Sequence, residues 1–281
     1  MIKSFKVFYI FVLIFVINIE AFSQTTNIMS YNIRYDNPND GINKWENRKN
    51  DVFKLITKYQ PEILGLQEGL YHQIKFIDSC LPNYKFIGVG REDGKLKGEF
   101  SPIFYNTTKF SVVETSTFWL SEQSDTISVG WDAALERICT YGLFEFKKTK
   151  KRFWVFNTHF DHIGVVAREM SAKLILKKIK TLNKNVLPVV LMGDLNSEPN
   201  SKTIQIISKE LDYGITNSKK PFNGPFGTFT SFDSIFKPIR IDYIFVKGFD
   251  VFSYKHIDDK MDNDNYISDH LPVLISVLAT N

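Results

Sequence analysis

Two polar side chains, Asp194 and Asn196, follow the apolar stretch 189–192 and are separated from each other by one residue. Pro188 and Gly193 bound that stretch, which predicts a buried strand with a sharp exit. Because side chains two positions apart in an extended segment point the same way, the carboxylate and the carboxamide could reach one ligand. Asp and Asn are also common in ordinary strand-to-turn exits, so this pair alone does not identify a site.

The same arrangement recurs along the chain, since other polar side chains also fall at or beside the ends of predicted strands. These residues are Asn32, Glu68, His159, Asp242, Asp269 and His270. A single residue of this kind is usually a hydrogen-bonding group within the fold. The repetition instead favours one polar centre at the edge where the strands end.

The side-chain types in this set indicate which chemistry such a centre could perform. Carboxylate and amide oxygens without thiolates favour Mg²⁺ or Mn²⁺ over zinc, and such an ion is usually completed by waters and substrate phosphate. Hydrolysis of the slowest phosphate monoesters needs rate enhancements of up to ~10²¹-fold, whereas one general base raises the rate by about 10²–10⁴-fold. The set therefore predicts a phosphate-ester hydrolase that combines a metal ion with several positioned donors.

The elements that must position these residues are helical near both ends of the chain and strand-rich in the middle. Helices are predicted at 45–59, 71–80 and 166–182 and after Ser201. Strands are predicted at 26–33, 63–68, 84–89, 101–105, 110–120, 137–146, 153–160, 189–192, 241–246 and 266–277. This order predicts one layered α/β (α+β) domain and not a doubly wound parallel fold.

The first residues resemble a secretory signal peptide. Lys3 and Lys6 precede an apolar run over residues 7–17, and the small residues Ala21 and Ser23 follow it. We expect a signal peptide at 1–23, a catalytic domain at 24–281, and a secreted or periplasmic protein. The alternative, an uncleaved membrane anchor, is disfavoured because the apolar run is short. The mature protein is expected to be a monomer without a stable membrane anchor.

Charge and cysteine content narrow the possible functions further. The formal net charge is +4, and the densest basic run, residues 147–152, is interpreted as a solvated turn. Without a basic stripe interleaved with aromatic residues, a processive nuclease is disfavoured. Cys80 and Cys139 are the two cysteines, and the sequence leaves open whether they pair or remain buried thiols.

Six short motifs resemble those of the endonuclease/exonuclease/phosphatase superfamily, the deoxyribonuclease-I-like metal phosphoesterases, and their bacterial secreted branch in particular. In chain order the motifs are Tyr31-Asn32, Gln67-Glu68, Thr158-His159, Gly193-Asp194-Leu195-Asn196, Ile241-Asp242-Tyr243 and Ser268-Asp269-His270. The resemblance covers essentially all of the expected mature chain. It implies a four-layered sandwich, in which two packed mixed β-sheets are flanked by helices and the site lies at one end.

The resemblance also implies a role for each matching residue. Glu68 is similar to the principal metal carboxylate, with Asn32 and Asp269 in the surrounding shell of ligands and water. Asp194 is similar to the group that orients or deprotonates the attacking water. Asn196 would help to position that water and the phosphate.

The histidines would face the phosphate. His270 resembles the imidazole that contacts the scissile phosphate, held in its tautomer by Asp242, and His159 would be a second donor to the phosphoryl oxygens. Glu99 is expected to brace His159. Arg137 occupies the place of a phosphate-facing arginine in some members, and a surface position in a strand is the alternative.

The substrate remains open. A hydrolase of small phosphorylated compounds is the preferred hypothesis, an extracellular or periplasmic endonuclease or exonuclease is the second, and a non-catalytic exported binding module is the third. The third is disfavoured because every position of the expected site holds a competent residue. Trp131 and Phe226 are candidate pocket walls, with packing inside loops as the alternative. Asp161 and His162 could bind a second ion, but a strand-to-loop exit is the preferred interpretation.

Overall fold

The computed structural model describes residues 25–233 and 239–279, and the expected signal peptide lies outside them. These described residues form four helices, α1 (Trp45–Tyr59), α2 (Tyr71–Cys80), α3 (Val165–Leu182) and α4 (Lys202–Ser208), with a 3-10 turn at Gly41–Asn43. The first six strands are β1 (Thr26–Asn32), β2 (Ile63–Gln67), β3 (Tyr84–Ile87), β4 (Ile103–Asn106), β5 (Phe110–Trp119) and β6 (Ile138–Phe146). The other six are β7 (Arg152–His159), β8 (Val189–Asp194), β9 (Asp212–Tyr213), β10 (Asp242–Lys247), β11 (Phe249–His256) and β12 (Val273–Ala279).

The strands form two six-stranded sheets. Sheet I has the order β11-β12-β1-β2-β4-β3, and sheet II has the order β5-β6-β7-β8-β10-β9. Each sheet is mixed, because β1 and β2 run parallel in sheet I and β7 and β8 run parallel in sheet II, beside antiparallel neighbours. The prediction of two mixed sheets is confirmed.

Three hydrophobic cores separate four layers. In β8, Val190 and Met192 pack between the two sheets, whereas Val189 and Leu191 pack on the other face against α3 and α4. A third core joins the outer face of sheet I to α1 and α2. Because successive side chains of a strand point to opposite faces, a strand covered on both sides must be apolar throughout. This explains the uninterrupted apolar sequence of β8 and confirms the four-layered sandwich.

The topology brings the ends of several strands to one end of the sandwich. In sheet II, His159 and Asp194 are neighbours at the ends of the parallel strands β7 and β8. The antiparallel strand β10 begins at the same level, with Asp242 opposite Asp194. In sheet I, Asn32 and Gln67 are neighbours at the ends of β1 and β2. The fold therefore places the predicted polar residues together.

Two strands were not predicted, and one was predicted too long. The strand β9 has only two residues, while β11 alternates apolar and polar residues but was not recognised. Residues 266–277 were predicted as one strand, but β12 begins at Val273. The preceding segment pairs elsewhere, since Leu271 N donates to Thr228 O and Pro272 has no N–H. Residues 147–151 form the exposed turn that the basic run predicted.

Both cysteines are free thiols in the structure, with Cys139 buried and Cys80 partly buried. The disulfide alternative is therefore not found. Within residues 25–233 and 239–279, no helix combines the length and apolar character needed to cross a bilayer.

We expect Gly193→Ala to destabilise the fold strongly. Gly193 has φ +146°, and a Cβ there would lie 1.9 Å from the carbonyl oxygen of Thr158 on the neighbouring strand. Overpacking and backbone strain each cost about 1–3 kcal/mol, so urea unfolding should show a loss of about 3 kcal/mol or more. Gly41→Ala is the control, because Gly41 has φ +55° but open space around it. Equal losses for the two variants would contradict the steric argument.

Candidate active site

Ten of the predicted residues meet at one end of the sandwich, beside a cleft of about 1240 Å³. Eight of them line the cleft: Glu68, Glu99, Arg137, His159, Asp194, Asn196, Asp269 and His270. Asn32 and Asp242 are not among the lining residues and are buried. The cleft therefore has a wall of predicted functional groups supported by two further members of the same set.

Asn32 links the two sheets at this end. Its Nδ2 donates to Glu68 Oε1 and to Asp194 Oδ2, at 3.0 Å in both cases. Its Oδ1 accepts a hydrogen bond from the backbone N–H of Arg34 at 3.0 Å. One amide thus orients a carboxylate from sheet I and a carboxylate from sheet II. The further role of Asn32 beside a metal ion remains a prediction.

His270 is held by a buried carboxylate. Its Nδ1 lies 2.8 Å from Asp242 Oδ2, and its Nε2 lies 3.7 Å from Asp194 Oδ2. Burial alone would lower the pKa of His270, but the two carboxylates outweigh it and hold the pKa well above its ordinary value. The predicted Asp242–His270 pair therefore forms and favours an imidazolium.

His159 has the opposite electrostatic setting. Burial lowers its pKa well below the ordinary value, and neighbouring guanidinium groups add to the effect. Asn196 Nδ2 donates to Phe160 O at 3.0 Å and lies 3.1 Å from His159 Nε2. Because the Phe160 contact fixes the amide orientation, Nε2 accepts a hydrogen bond and the proton of the neutral ring lies on Nδ1. Any donation from His159 to a phosphoryl oxygen would have to come from Nδ1.

Glu99, which was predicted to support His159, makes its main contact with Arg91. Glu99 Oε2 lies 3.7 Å from His159 Nδ1, which is too long for a hydrogen bond, but 2.8 Å from Arg91 NH1. Burial raises the pKa of Glu99 to about 7, although Arg91 opposes the shift. Glu99 therefore faces His159 while its main contact is with an arginine that the sequence did not suggest.

Arg137 is buried and lines the cleft, so its surface alternative is wrong. Its NH2 lies 2.9 Å from His162 Nδ1, and its Nε lies 3.3 Å from Asp161 Oδ2. The other oxygen of Asp161 accepts from the backbone N–H groups of Ile163 and Gly164. This is the strand-to-loop exit preferred for Asp161, and it positions Arg137 at the cleft.

The two candidate aromatic walls lie elsewhere. Phe226 is 68% exposed and stacks on Arg240, and neither Phe226 nor Trp131 is among the cleft-lining residues in the described part of the chain. Phe229 and Phe232 line the cleft instead. A part for Trp131 in substrate binding remains a prediction.

Sequence reasoning missed further residues near the site. Asn157 and Gln67 join the sheets beneath it, with Gln67 Nε2 donating to Asn157 Oδ1 at 2.7 Å. An asparagine within an otherwise apolar strand was a signal for this contact. Arg34 was also missed, although it stands two residues after Asn32. Arg91 lies outside the motifs, and none of its neighbours in the chain indicated that it belongs to the site.

Backbone strain occurs at five residues that line the cleft. Arg34, Glu68, Asn196, Ser231 and Phe232 adopt left-handed conformations, with φ of 59°, 64°, 44°, 56° and 59°. Non-glycine residues rarely adopt this region, and such strain concentrates at functional sites. Glu68 and Asn196 each follow a strand, so the left-handed turn redirects the chain where their side chains face the cleft.

The donor set fits a hard divalent cation. Glu68, His159 and Asp194 each offer a ligand atom within 4.8 Å of the others. Burial, with the charges of neighbouring carboxylates, raises the pKa of Asp194 to about 7 and that of Asp269 to about 6. Crowded buried carboxylates of this kind are stabilised by a divalent ion, and oxygen donors favour Mg²⁺ or Mn²⁺.

We expect the metal-free protein to lose stability as pH rises from 5 to 8. Glu99, Asp194 and Asp269 have raised pKa values in the fold and outnumber the two histidines with lowered pKa values, His159 and His256. The native state therefore keeps protons that the unfolded chain has already lost. Stability then falls with pH across this window. In EDTA the Tm should drop by about 5 °C or more.

The control is Asp194→Asn, which should reduce the slope of Tm against pH because one of the three titrating carboxyl groups is gone. Addition of Mn²⁺ to the wild-type protein should restore the Tm at pH 8. A Tm in EDTA that stays constant or rises between pH 5 and 8 would contradict the electrostatic account.

Similar proteins share the architecture and the length of the chain. The sequence model described as the Endonuclease/Exonuclease/phosphatase family matches residues 29–270. An endonuclease/exonuclease/phosphatase of Bacteroides vulgatus is 36% identical, with a TM-score of 0.87 over 91% of this chain and 99% of that one. A mannosyl-6-phosphatase of Bacteroides thetaiotaomicron is 38% identical, with a TM-score of 0.85 over 90% of this chain and 99% of that one. An uncharacterized protein of Acanthamoeba polyphaga mimivirus is 28% identical over 254 residues, or 83% of this chain and 92% of that protein.

Proposed function

This chain belongs to the Endonuclease/Exonuclease/phosphatase family, and on that premise we propose that it is a Mg²⁺- or Mn²⁺-dependent hydrolase of small phosphorylated compounds. One observation carries the proposal. Glu68 from sheet I and Asp194 from sheet II are hydrogen-bonded to the same amide of Asn32, beside an imidazole held by a buried carboxylate. This arrangement offers metal ligands, a base and a cation around one point.

Asp194 is the proposed general base. Its Oδ1 accepts from the backbone N–H of Asn196 at 2.9 Å, and its Oδ2 accepts from Asn32. These contacts fix the carboxylate, while burial raises its pKa to about 7. A base with a pKa near the working pH can take a proton from water as that water attacks phosphorus.

His270 is the proposed electrostatic partner of the phosphoryl group. Asp242 holds it as an imidazolium, and its Nε2 points toward Asp194 at the cleft. A fixed cation beside the developing negative charge stabilises the transition state more than the ground state. Asp242 acts through His270 and is a positioning residue.

Arginines supply further positive charge for an anionic substrate. Arg34, Arg91, Arg137 and Arg168 all line the cleft. Arg91 and Arg137 are buried and pair with Glu99 and Asp161, so their guanidinium groups are fixed in place. Guanidinium groups suit phosphate recognition because their donors match its oxygens.

Glu68 and Asp269 are the proposed metal ligands, with Asn32 beside them. When bound, a divalent ion would stabilise negative charge on the phosphoryl and leaving oxygens. The oxygen-rich donor set supports Mg²⁺ or Mn²⁺ as that ion.

Small sugar phosphates are the favoured substrates. The mannosyl-6-phosphatase of Bacteroides thetaiotaomicron is 38% identical over nearly its whole length. Polar side chains that could bond sugar hydroxyls also line the cleft, among them Asn43, Glu169, Glu198 and Ser201. Export of the protein, through removal of residues 1–23, belongs to the same proposal.

We expect Asp194→Asn to lower kcat by about 10³-fold or more, since the variant cannot accept the proton of the attacking water. Phosphate release from the best substrate measures the loss, and urea unfolding checks that the fold persists. Asp212→Asn makes the same chemical change at an exposed position in sheet II and should leave kcat unchanged. Asp194→Asn with a tenth or more of wild-type activity would remove Asp194 from the chemistry.

A substrate panel tests the proposed function directly. With Mg²⁺ or Mn²⁺, the protein should release phosphate from mannose 6-phosphate and related sugar phosphates, and EDTA should abolish the release. Plasmid DNA, RNA and sphingomyelin should remain intact. Cleavage of nucleic acid with intact sugar phosphates would establish the nuclease alternative, and inactivity on every substrate would support the binding module.

A further inference from the structure

We propose that Arg34 is a fixed cation that takes the place of a second metal ion, so that the site holds a single divalent ion. This inference rests on the proposed function, because it assumes that one ion binds at Glu68 and Asp269. The sequence left open whether one ion or two would bind. The surroundings of Arg34 answer that question.

The guanidinium of Arg34 is anchored by a carboxylate other than the proposed metal ligands. Its Nε and NH2 donate to the two oxygens of Asp40 at 2.9 and 3.0 Å, which is a bidentate contact. Asn37 Nδ2 donates to Asp40 at 2.9 Å and holds that carboxylate in turn. The backbone N–H of Arg34 donates to Asn32 Oδ1. Side chain and backbone are thus both fixed, independently of any metal ion.

The same guanidinium lies beside the proposed metal ligands. Arg34 NH1 is 3.9 Å from Glu68 Oε2, and Arg34 Nε is 3.8 Å from Asp269 Oδ2. These distances exceed those of direct hydrogen bonds, so the attraction acts through charge. An arginine side chain does not lose its proton in proteins. Glu68 and Asp269 therefore always have the guanidinium charge next to them and share it with Asp40.

This charge leaves little room for two ions at the same carboxylates. In two-metal sites the ions lie about 3.5–4 Å apart and share ligands. A second ion shared by Glu68 and Asp269 would lie close to the guanidinium, and the two positive charges would repel each other at such short distances. Because Asp40 holds Arg34 in place, the guanidinium cannot easily move away.

The neighbouring carboxylates are already engaged. Asp242, which could join Asp194 and His270 in a second cluster, has its Oδ2 2.8 Å from the imidazole of His270. Asp161, the other candidate from the sequence, accepts from two backbone N–H groups and contacts Arg137. At the cluster of Glu68, His159 and Asp194, the Asn32 amide donates to both carboxylates. A second ion at any of these places would have to break one of these contacts, whereas Arg34 supplies positive charge without doing so.

The test is the number of Mn²⁺ ions bound per chain, measured by equilibrium dialysis and elemental analysis of the mature protein without substrate. We expect one ion for the wild type and two for Arg34→Gln. Two ions bound to the wild type, or one ion still bound to Arg34→Gln, would overturn the inference and leave the proposed function intact. Failure of the wild type to bind Mn²⁺ would overturn both.

Matched variants isolate the effect of this charge. Arg34→Lys keeps a positive charge and should bind one ion. Arg152→Gln removes an arginine paired with Glu145 at the opposite end of β7, and it should also bind one ion. Arg34→Met is a second neutral variant with a long apolar stem, and it should bind two ions even if Arg34→Gln does not fold. Thermal unfolding of each variant confirms that the fold persists.

Discussion

The site depends on one amide that joins two sheets. Asn32 is the last residue of β1, a central strand of sheet I. Its Nδ2 donates to one carboxylate from each sheet, Glu68 and Asp194. An apolar side chain at this position could not hold the two carboxylates, which would repel each other in a buried setting. The distance between the sheets, which the hydrophobic core sets, therefore also sets the geometry of the proposed chemistry.

Around this amide, each histidine has an environment that determines its protonation. His270 lies between Asp242 and Asp194, which favour the charged ring. At His159, burial lowers the pKa and favours the neutral ring, and the charges of Arg137 and Arg91 add to this effect. The two imidazoles can therefore serve different purposes at one pH, one as a fixed cation and the other as a neutral hydrogen-bonding group. The difference arises because the carboxylates beside His270, with Asp242 hydrogen-bonded to the ring, outweigh the effect of burial.

The sequence predicted the features that depend on the spacing of apolar residues and on polar residues at the ends of strands. The order of helices and strands predicted a layered α/β domain, and the polar residues at strand ends predicted the cluster. The number of layers was implied by the family resemblance. The partners of Glu99 and Arg34 could not be predicted, because loop conformation decides which distant side chains meet. The start of β12 was missed for a similar reason. The predicted strand ran through the polar residues 268–270, but the backbone there pairs with the loop at Thr228.

Arg34 shows how loop geometry can determine the number of ions in a site. Its left-handed backbone turns the chain directly after β1, and the following loop returns Asp40 to the guanidinium. A shorter loop or an extended backbone at Arg34 would leave Glu68 and Asp269 without this neighbour. Two related chains could then share every strand-end residue and still differ in metal stoichiometry. In such a fold, the residues that follow the strands decide how the charge of the strand-end carboxylates is balanced.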